Sequence, residues 1–458
     1  MTDNSRLNKV LIANRGEIAL RAIRVAQSLG ISTVAVYSSA DRNSAHVLAA
    51  DESVCIGPPA ASKSYLLSEG LLHVAKQKKC DSIYPGYGFL SESSLFANRC
   101  EKYKIKFIGP SSSIIENMGN KDKAREIAAS FGVPIVPGSD RAFTDCSEAL
   151  ISTKEIGFPL LLKARSGGGG RGMRIVFKRG EFKHSFGEAM SEAAGAFGDG
   201  ALYIEKFFPK VRHIEIQVLG DGFGKAIVFD ERDCSVQRRH QKLIEESPSP
   251  MIGSDVRRRL KAAAIKLARG IKYEGAGTIE FVLETMNKEF FFIEMNTRIQ
   301  VEHPVTEMRN DVDLVKEQFK IGLRDQFPDE TKFKKSNGHS IEFRINAEDP
   351  ENNFSPSPGL LKSWYPPNGE GIRVDSSVTS GSNVSPYYDS MIAKLIVHDT
   401  DRSAAIKKAR DALSRFYYSG VKTTIPFYKK LLHHDGFLKN KIHTRWIEEE
   451  LMNEDMGK

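Results

Sequence analysis

An α/β chain that opens on a parallel sheet and passes into α+β regions built on antiparallel hairpins is the fold this sequence predicts, from three observations. At the N-terminus Lys9-Val10-Leu11-Ile12-Ala13, a helical stretch over 17–29 and Thr33-Val34-Ala35-Val36-Tyr37 follow one another. That is the pattern of a βαβ crossover, hence of parallel strands. Further on, 278–284 and the run from Glu289 are both strand-like around a short turn, the signature of a hairpin. A third region opens on the strand-like Ser340-Ile341-Glu342-Phe343-Arg344-Ile345-Asn346 and contains a helix over 402–416.

The 458 residues suit about two to four domains. Hydrophobic content of 40% and charged content of 27% allow buried cores. The net charge is +8, but the basic residues are scattered, without a Lys/Arg run or an aromatic-interleaved basic stripe. This predicts a surface that attracts anionic substrates rather than nucleic acid. The five cysteines, Cys55, Cys80, Cys100, Cys146 and Cys234, are widely spaced and lack a Cys-x-x-Cys pair. A reducing compartment is expected, with no disulfide framework. The polar N-terminus and the lack of a long apolar run predict a cytoplasmic chain without a membrane span.

In chain order, the helix over 17–29 spaces Ile18, Ala22, Val25, Ala26 and Leu29 helically and stops at Gly30. The turn Asn14-Arg15-Gly16-Glu17 has one glycine where a dinucleotide fingerprint needs three, so the first domain is Rossmann-like without that cofactor. A helix over 63–76, a strand at 82–84, a helix over 91–103 and a strand at 106–108 continue the alternation. Tyr84-Pro85-Gly86-Tyr87-Gly88-Phe89 is a loop at a strand end, where ligands sit in open parallel sheets. One helix over 111–132 carries Lys121 and Lys123, and 133–138 reads as a linker.

Pro159–Ala164 is an apolar strand carrying Lys163, followed by Ser166-Gly167-Gly168-Gly169-Gly170-Arg171-Gly172-Met173 and a second strand. Glycines let backbone N–H groups cradle phosphate. With strands on both sides, the run predicts a hairpin flap over a nucleotide rather than a Walker loop. Strands over 202–207 and 212–218 follow. Asp233-Cys234-Ser235-Val236-Gln237-Arg238-Arg239-His240-Gln241-Lys242 is dense in donors. If it is extended, His240 and Lys242 share a face and meet phosphate or a small anion. Amphipathic helices are expected over 254–271 and 311–323, and the tail after 447 is charged and frayed.

The most informative stretch runs from Phe291 to Pro304. If it is extended, Glu294, Asn296, Arg298, Gln300 and Glu302 share one face, and Ile293, Met295, Ile299 and Val301 the other. A hairpin loop of about five residues places Glu280 opposite Glu294. Like charges so placed repel, and a divalent cation with Asn296 as third oxygen donor removes the conflict.

Lys163, the glycine flap, Glu205-Lys206, Glu280 and Glu294-x-Asn296 together resemble the ATP-grasp superfamily. Arg238-Arg239-His240-Gln241-Lys242, the run from Glu294 to Glu307, Arg344-Ile345-Asn346-Ala347-Glu348, the run from Lys9 to Ala19, and Ser385-Pro386-Tyr387-Tyr388-Asp389-Ser390-Met391 resemble biotin carboxylase, in order and over nearly the whole chain. One departure is Arg165-Ser166, where many relatives carry smaller residues. The resemblance implies an N-terminal domain over 1–118, an ATP-grasp domain over 119–330 with a mobile glycine-rich lid at about 137–204, and a C-terminal mixed α+β domain over 336–446.

The resemblance also implies a reaction: ATP and bicarbonate form carboxyphosphate, which carboxylates biotin on a carrier protein. This is the first half-reaction of an acyl-CoA carboxylase, foremost acetyl-CoA, or of a pyruvate carboxylase. Residue by residue, it implies that Lys121, Lys163, Gly168, Gly169, Gly170, His213, Gln237, His240, Glu280 and Glu294 meet ATP, with Glu205, Lys206, Phe208 and Ile442 around the base. Glu280 and Glu294, with Asn296, hold Mg²⁺ or Mn²⁺. Lys242, Arg298, Gln300 and Val301 bind bicarbonate, Glu302 is its general base, Arg344 stabilises the biotin enolate and Tyr87 lines the biotin pocket. A homodimer is implied. None of the eleven methionines is followed by lysine, so the carrier and the carboxyltransferase are expected on separate chains. The alternatives are a carbamoyl-phosphate synthetase-like ligase and a non-enzymatic ATP- or nucleic-acid-binding module.

Overall fold

Apolar runs separated by amphipathic helices pair as the βαβ pattern requires. The computed structural model describes residues 7–165, 173–323, 327, 328, 333 and 336–451. Strands β1 (Lys9–Ile12), β2 (Ser32–Ser38), β3 (Glu52–Gly57), β4 (Ser82–Tyr84) and β5 (Lys106–Phe107) form a parallel sheet in the order β3-β2-β1-β4-β5. Helix Gly16–Ser28 buries Ile18, Ala22, Val25 and Ala26, the face its spacing predicts. Strand β3 was not among the expected elements: Glu52-Ser53-Val54-Cys55 sits at the sheet edge, half exposed, with no apolar run to mark it.

Three helices differ from expectation. The helix expected over 63–76 begins at Ser68, because 61–63 forms a separate 3₁₀ turn. The one expected over 91–103 is Ser94–Lys102, started by the Ser93 side chain accepting from the Phe96 N–H. The stretch 111–132 is two helices, Ser112–Gly119 and Lys121–Ser130. Asn120 divides them by accepting from the N–H groups of Asp122 and Lys123, the local competition that makes Asn a cap rather than a helix interior residue.

The expected flap is a small sheet of its own. Strand β6 (Leu160–Ala164) pairs antiparallel with β7 (Met173–Val176) and with β8 (Leu202–Lys206). Its core, including Leu160, Leu162, Val176, Phe182, Phe186 and Leu202, is separate from the others. The tip of the hairpin, with Gly168, Gly169 and Gly170, lies outside the described residues. The segment expected as a linker is stitched down: Ile135 bridges Phe292 and Gly138 bridges Glu205.

The main body is one antiparallel sheet. Strands β9 (Val211–Asp221), β10 (Ala226–Arg238), β11 (Gln241–Ser247), β12 (Glu274–Glu284), β13 (Phe290–Asn296) and β14 (His339–Asn346) join strands Met391–Asp399 and Ile372–Ser376. The order is β13-β12-β9-β10-β11-β14, then 391–399 and 372–376. The third region therefore continues the central sheet through Glu245↔Glu342 and Ile244↔Phe343. The donor-dense stretch is a hairpin rather than one extended run. Arg239 and His240, at φ 48° and 64°, form its turn, so His240 and Lys242 do not share an extended face. The long polar face after Phe291 also ends early. Strand β13 stops at Asn296, and His303–Asn310 is a helix with Pro304 in its first turn. The next helix is Leu314–Gly322, capped by Asp313.

Glu246, on β11, ties β14 to helix Arg402–Arg415. It meets His339 at 2.8 Å and the Nε of Arg402 at 2.7 Å. Burial pushes its carboxyl up, but Arg402 and His339 outweigh that and hold it at about 2, against 4.5 ordinarily. A depressed carboxyl stabilises the fold above its unfolded pKa and loses that contribution as pH falls through the folded one. Glu246→Gln is expected to cost about 3 kcal/mol at neutral pH. Urea unfolding should show the gap to wild type closing between pH 4.5 and about 2.

Candidate active site

The hairpin register places carboxylates side by side on three neighbouring strands. Glu280 stands opposite Glu294, as the sequence predicts, through a register irregularity between Glu280 and Phe281. On its other side Glu280 faces Glu215 of β9. Glu302, next to helix His303–Asn310, is a fourth carboxylate, fully buried.

Cations converge on this row. Lys242 Nζ lies 2.7 Å from Glu215, 3.0 Å from Glu280 and 2.6 Å from Glu302. Burial would lower its pKa, but the three carboxylates together hold it well above the ordinary lysine value. His213 meets Glu280 at 3.1 Å. Burial opposes its charge, yet Glu280 outweighs burial and raises the imidazole to about 9. Arg232 is buried against Glu215 and donates to Gln217, Thr278 and Thr306 at 2.8–3.0 Å. Arg344 donates to Glu302 at 2.9 Å and to Glu245 at 2.6 Å. Burial pushes the Glu302 carboxyl up, and Lys242, then Arg344 and Arg232, more than reverse it against the neighbouring Glu215. Glu302 is thus ionised and clasped between Lys242 and Arg344.

These groups open onto a cleft of about 920 Å³. Tyr87, Lys121, His213, Gln237, His240, Lys242, Glu280, Glu294, Asn296, Arg298, Gln300, Val301 and Arg344, all predicted from the sequence, line it. Arg298 donates to Gln300 at 3.0 Å, to Asn296 at 3.3 Å and to Glu92 at 2.8 Å. Other predicted residues stand elsewhere. Lys163 pairs with Glu205, which Arg125 also meets at 2.7 Å. The Lys206 amine donates to the carbonyls of Gly157 and Phe158. Phe208 stacks on Phe291 with centroids 5.2 Å apart, and Ile442 is buried in the core of the C-terminal region.

Glu280 and Glu294 fit a divalent cation. Glu280 has His213 and Lys242 beside it, but the only cation paired with Glu294 among the described residues is the exposed Lys121, at 3.8 Å. Burial, and then the charge of Glu280, raise the Glu294 carboxyl, the conflict a hard cation relieves. His213, Glu215 and Glu280 also offer atoms within 4.8 Å of one another. At that cluster His213 and Lys242 both lie against Glu280, at 3.1 and 3.0 Å. Asn296 turns Nδ2 to Glu280 at 2.9 Å and Oδ1 to Arg298, bracing the pair.

Glu215, Arg232, Glu245 and Glu92 were missed. Glu215 had a signal, since His213 and Glu215 share a face of an alternating strand. The others are recognisable only from their contacts. No helix among the described residues is long and apolar enough to cross a membrane.

Comparison with known proteins matches three family profiles: "Biotin carboxylase, N-terminal domain" over 6–115, "Carbamoyl-phosphate synthase L chain, ATP binding domain" over 120–329 and "Biotin carboxylase C-terminal domain" over 342–449. The chain is 49% identical over 442 residues to Biotin carboxylase 1 of Bacillus subtilis, covering 96% of this chain and 98% of that one. It is 47% identical to a pyruvate carboxylase subunit from Methanothermobacter thermautotrophicus, covering 96% and 90%. A solved structure is the biotin carboxylase domain dimer of Hydrogenobacter thermophilus 2-oxoglutarate carboxylase with MgADP, ADP and bicarbonate. It superposes with a TM-score of 0.86 at 46% identity, covering 97% of each chain.

Removing the shared ammonium should expose the carboxylate conflict. Lys242→Met is expected to cost about 3–5 kcal/mol at neutral pH. The loss should shrink as acid protonates the freed carboxylates, which urea unfolding of wild type and variant at two pH values would measure.

Proposed function

The chain belongs to the biotin carboxylase family of ATP-dependent ligases, and from that premise we propose that it carboxylates biotin on a separate carrier protein, using ATP and bicarbonate. The observation that carries the mechanism is the clasp on Glu302, with Lys242 at 2.6 Å and Arg344 at 2.9 Å.

Bicarbonate is a poor nucleophile until it loses its proton. Lys242, Arg298, Gln300 and the Val301 backbone hold the anion beside Glu302, the planar guanidinium matching the planar anion. As Lys242 turns part of its charge to bicarbonate, Glu302 becomes the stronger base and takes the proton. The bicarbonate oxygen attacks the γ-phosphorus, the bond to the β–γ bridging oxygen breaks, and ADP leaves as carboxyphosphate forms. Glu280 and Glu294, with Asn296 beside them, would hold Mg²⁺ (or Mn²⁺), which spreads the charge of the transferring phosphoryl group. Lys121, His213, Gln237 and His240 hold the nucleotide from the cleft. Lys163, Gly168, Gly169, Gly170, Glu205, Lys206, Phe208 and Ile442 complete its pocket once the lid closes and excludes water, to which carboxyphosphate is labile. The bond between the carboxyl carbon and the phosphate oxygen then breaks, the released phosphate takes the ureido N–H proton of biotin, and the carboxyl carbon bonds to that nitrogen. The enolate charge that deprotonation leaves on biotin faces Arg344 along the Tyr87 wall.

The domain limits proposed for this assembly are 1–118, 119–330 and 336–446. A carrier and carboxyltransferase on other chains are supported by the Bacillus relative, which is nearly all accounted for by this chain. The reducing cytoplasm and a homodimer complete the reading. The acceptor is an acyl-CoA, foremost acetyl-CoA, or pyruvate. Mass spectrometry of the biotinylated partner captured with the chain would separate them. A carbamoyl-phosphate synthetase-like activity is disfavoured by the two biotin carboxylase profiles that flank the ATP-binding one. Replacing biotin with ammonia should give no added turnover.

Glu302→Gln is expected to lower biotin-dependent ATP hydrolysis by about 10²–10⁴-fold, and Arg344→Ala by about 10²-fold. Turnover unchanged in both variants, followed by coupled ADP release, would remove these assignments.

A further inference from the structure

Lys394 lies within strand Met391–Asp399 and is fully buried. Its ammonium leaves the C-terminal region and touches both walls of the cleft. Nζ lies 3.0 Å from Glu17 Oε1 and donates to the main-chain oxygen of Val301 at 2.9 Å. The same Glu17 oxygen accepts the Tyr87 hydroxyl. Glu17 Oε2 has no hydrogen-bond partner, so the carboxylate is held through one oxygen shared by Tyr87 and Lys394. Glu342 and Asp375, the latter at 3.9 Å, also face the ammonium.

Tyr87, Glu17, Lys394 and Val301 thus form one chain of contacts drawn from four segments: the loop after β4, the first turn of helix Gly16–Ser28, strand Met391–Asp399, and the turn before helix His303–Asn310. Tyr87 stands on the wall given to biotin, and Val301 in the turn given to bicarbonate. Those walls come from different regions of the chain. Carboxyl transfer needs the ureido nitrogen and the carboxyl carbon held at near-attack distance, and a misplacement of about 1 Å can cost about 10²-fold. A surface pair could clamp the regions together without desolvating a lysine. A buried ammonium bonded to both walls sets their spacing.

We propose that Glu17 and Lys394 are positioning residues that hold the biotin wall and the bicarbonate turn at the spacing carboxyl transfer requires. This rests on the function proposed above. Lys394 is fully buried behind the cleft wall, in which Glu17 stands beside Tyr87. The pair acts through the Tyr87 hydroxyl on one side and the Val301 carbonyl on the other.

The test is steady-state ATP hydrolysis by the full chain, with biotin, bicarbonate and ATP varied in turn. Lys394→Met should raise the KM for bicarbonate and for biotin together, each about tenfold, with the KM for ATP within about twofold of wild type. Lys394→Arg should recover part of both losses. Tyr87→Phe removes only the hydroxyl. It should raise the bicarbonate KM as well as the biotin KM, and combine non-additively with Lys394→Met. If Lys394→Met does not fold, Glu17→Gln/Lys394→Met, which removes both charges, takes its place with the same expectation. The proposal is overturned if the variants lose thermal stability while both KM values stay at wild type. It is equally overturned if Tyr87→Phe moves only the biotin KM and adds fully to Lys394→Met. A wild-type chain without biotin-dependent turnover overturns the functional reading itself, an outcome distinct from either of these.

Discussion

Ionised carboxylates on adjacent strands of a dry sheet persist only if matching cations are built in beside them. Glu294, Glu280 and Glu215 face one another across β13, β12 and β9, and Glu302 joins them through Lys242. Desolvating such a set is costly, and removing one partner leaves an uncompensated buried charge. Much of the central architecture follows. The β10–β11 hairpin delivers Lys242 and Arg232 from strands that would otherwise read as exposed, and β14 brings Arg344. The one carboxylate left with a weak, exposed partner is Glu294, on the side where a nucleotide and its cation would arrive.

The two halves of the cleft are assembled to different degrees. The side proposed for bicarbonate is already knit together: Lys242 and Arg344 meet at Glu302, Arg298 donates to Gln300, and Gln300 and Lys242 meet at Glu280. On the side proposed for the nucleotide, Lys163 is answered by Glu205 within the β6–β8 sheet. That sheet has a core of its own, which supports its proposed role as a lid. Such a division suits a labile intermediate. In the proposed mechanism the base would stay fixed while closure over ATP would supply the water barrier.

Legibility in the sequence followed the range of the interaction. The Glu280–Glu294 pairing was read from hairpin register over a short span, but the register beside the loop is Leu283↔Phe290, and a one-residue irregularity between Glu280 and Phe281 brings the two carboxylates opposite. Helix Gly16–Ser28 and strands β1, β2 and β4 were readable because their apolar periodicity is strong. The break at Asn120, the late start at Ser68 and the turn at His240 went unread, because capping and turn geometry compete locally with periodicity that looks continuous. The polar face after Asn296 was read as one strand. Its residues still reach the cleft, but through a turn and a helix start.

By itself, the sequence determined the three-region α/β and α+β plan, the carboxylate pair, and, through its motifs, the family and the residues that line the cleft. Tertiary structure alone decided that the central and C-terminal regions share one sheet, that Arg232 and Glu245 belong to the charge network, and that Lys394 reaches Glu17 and Val301. The reason is physical. A charged residue at an alternating position reads the same whether its strand lies at an edge or in the middle of a sheet, and only the packing of distant segments settles which carboxylate meets which cation.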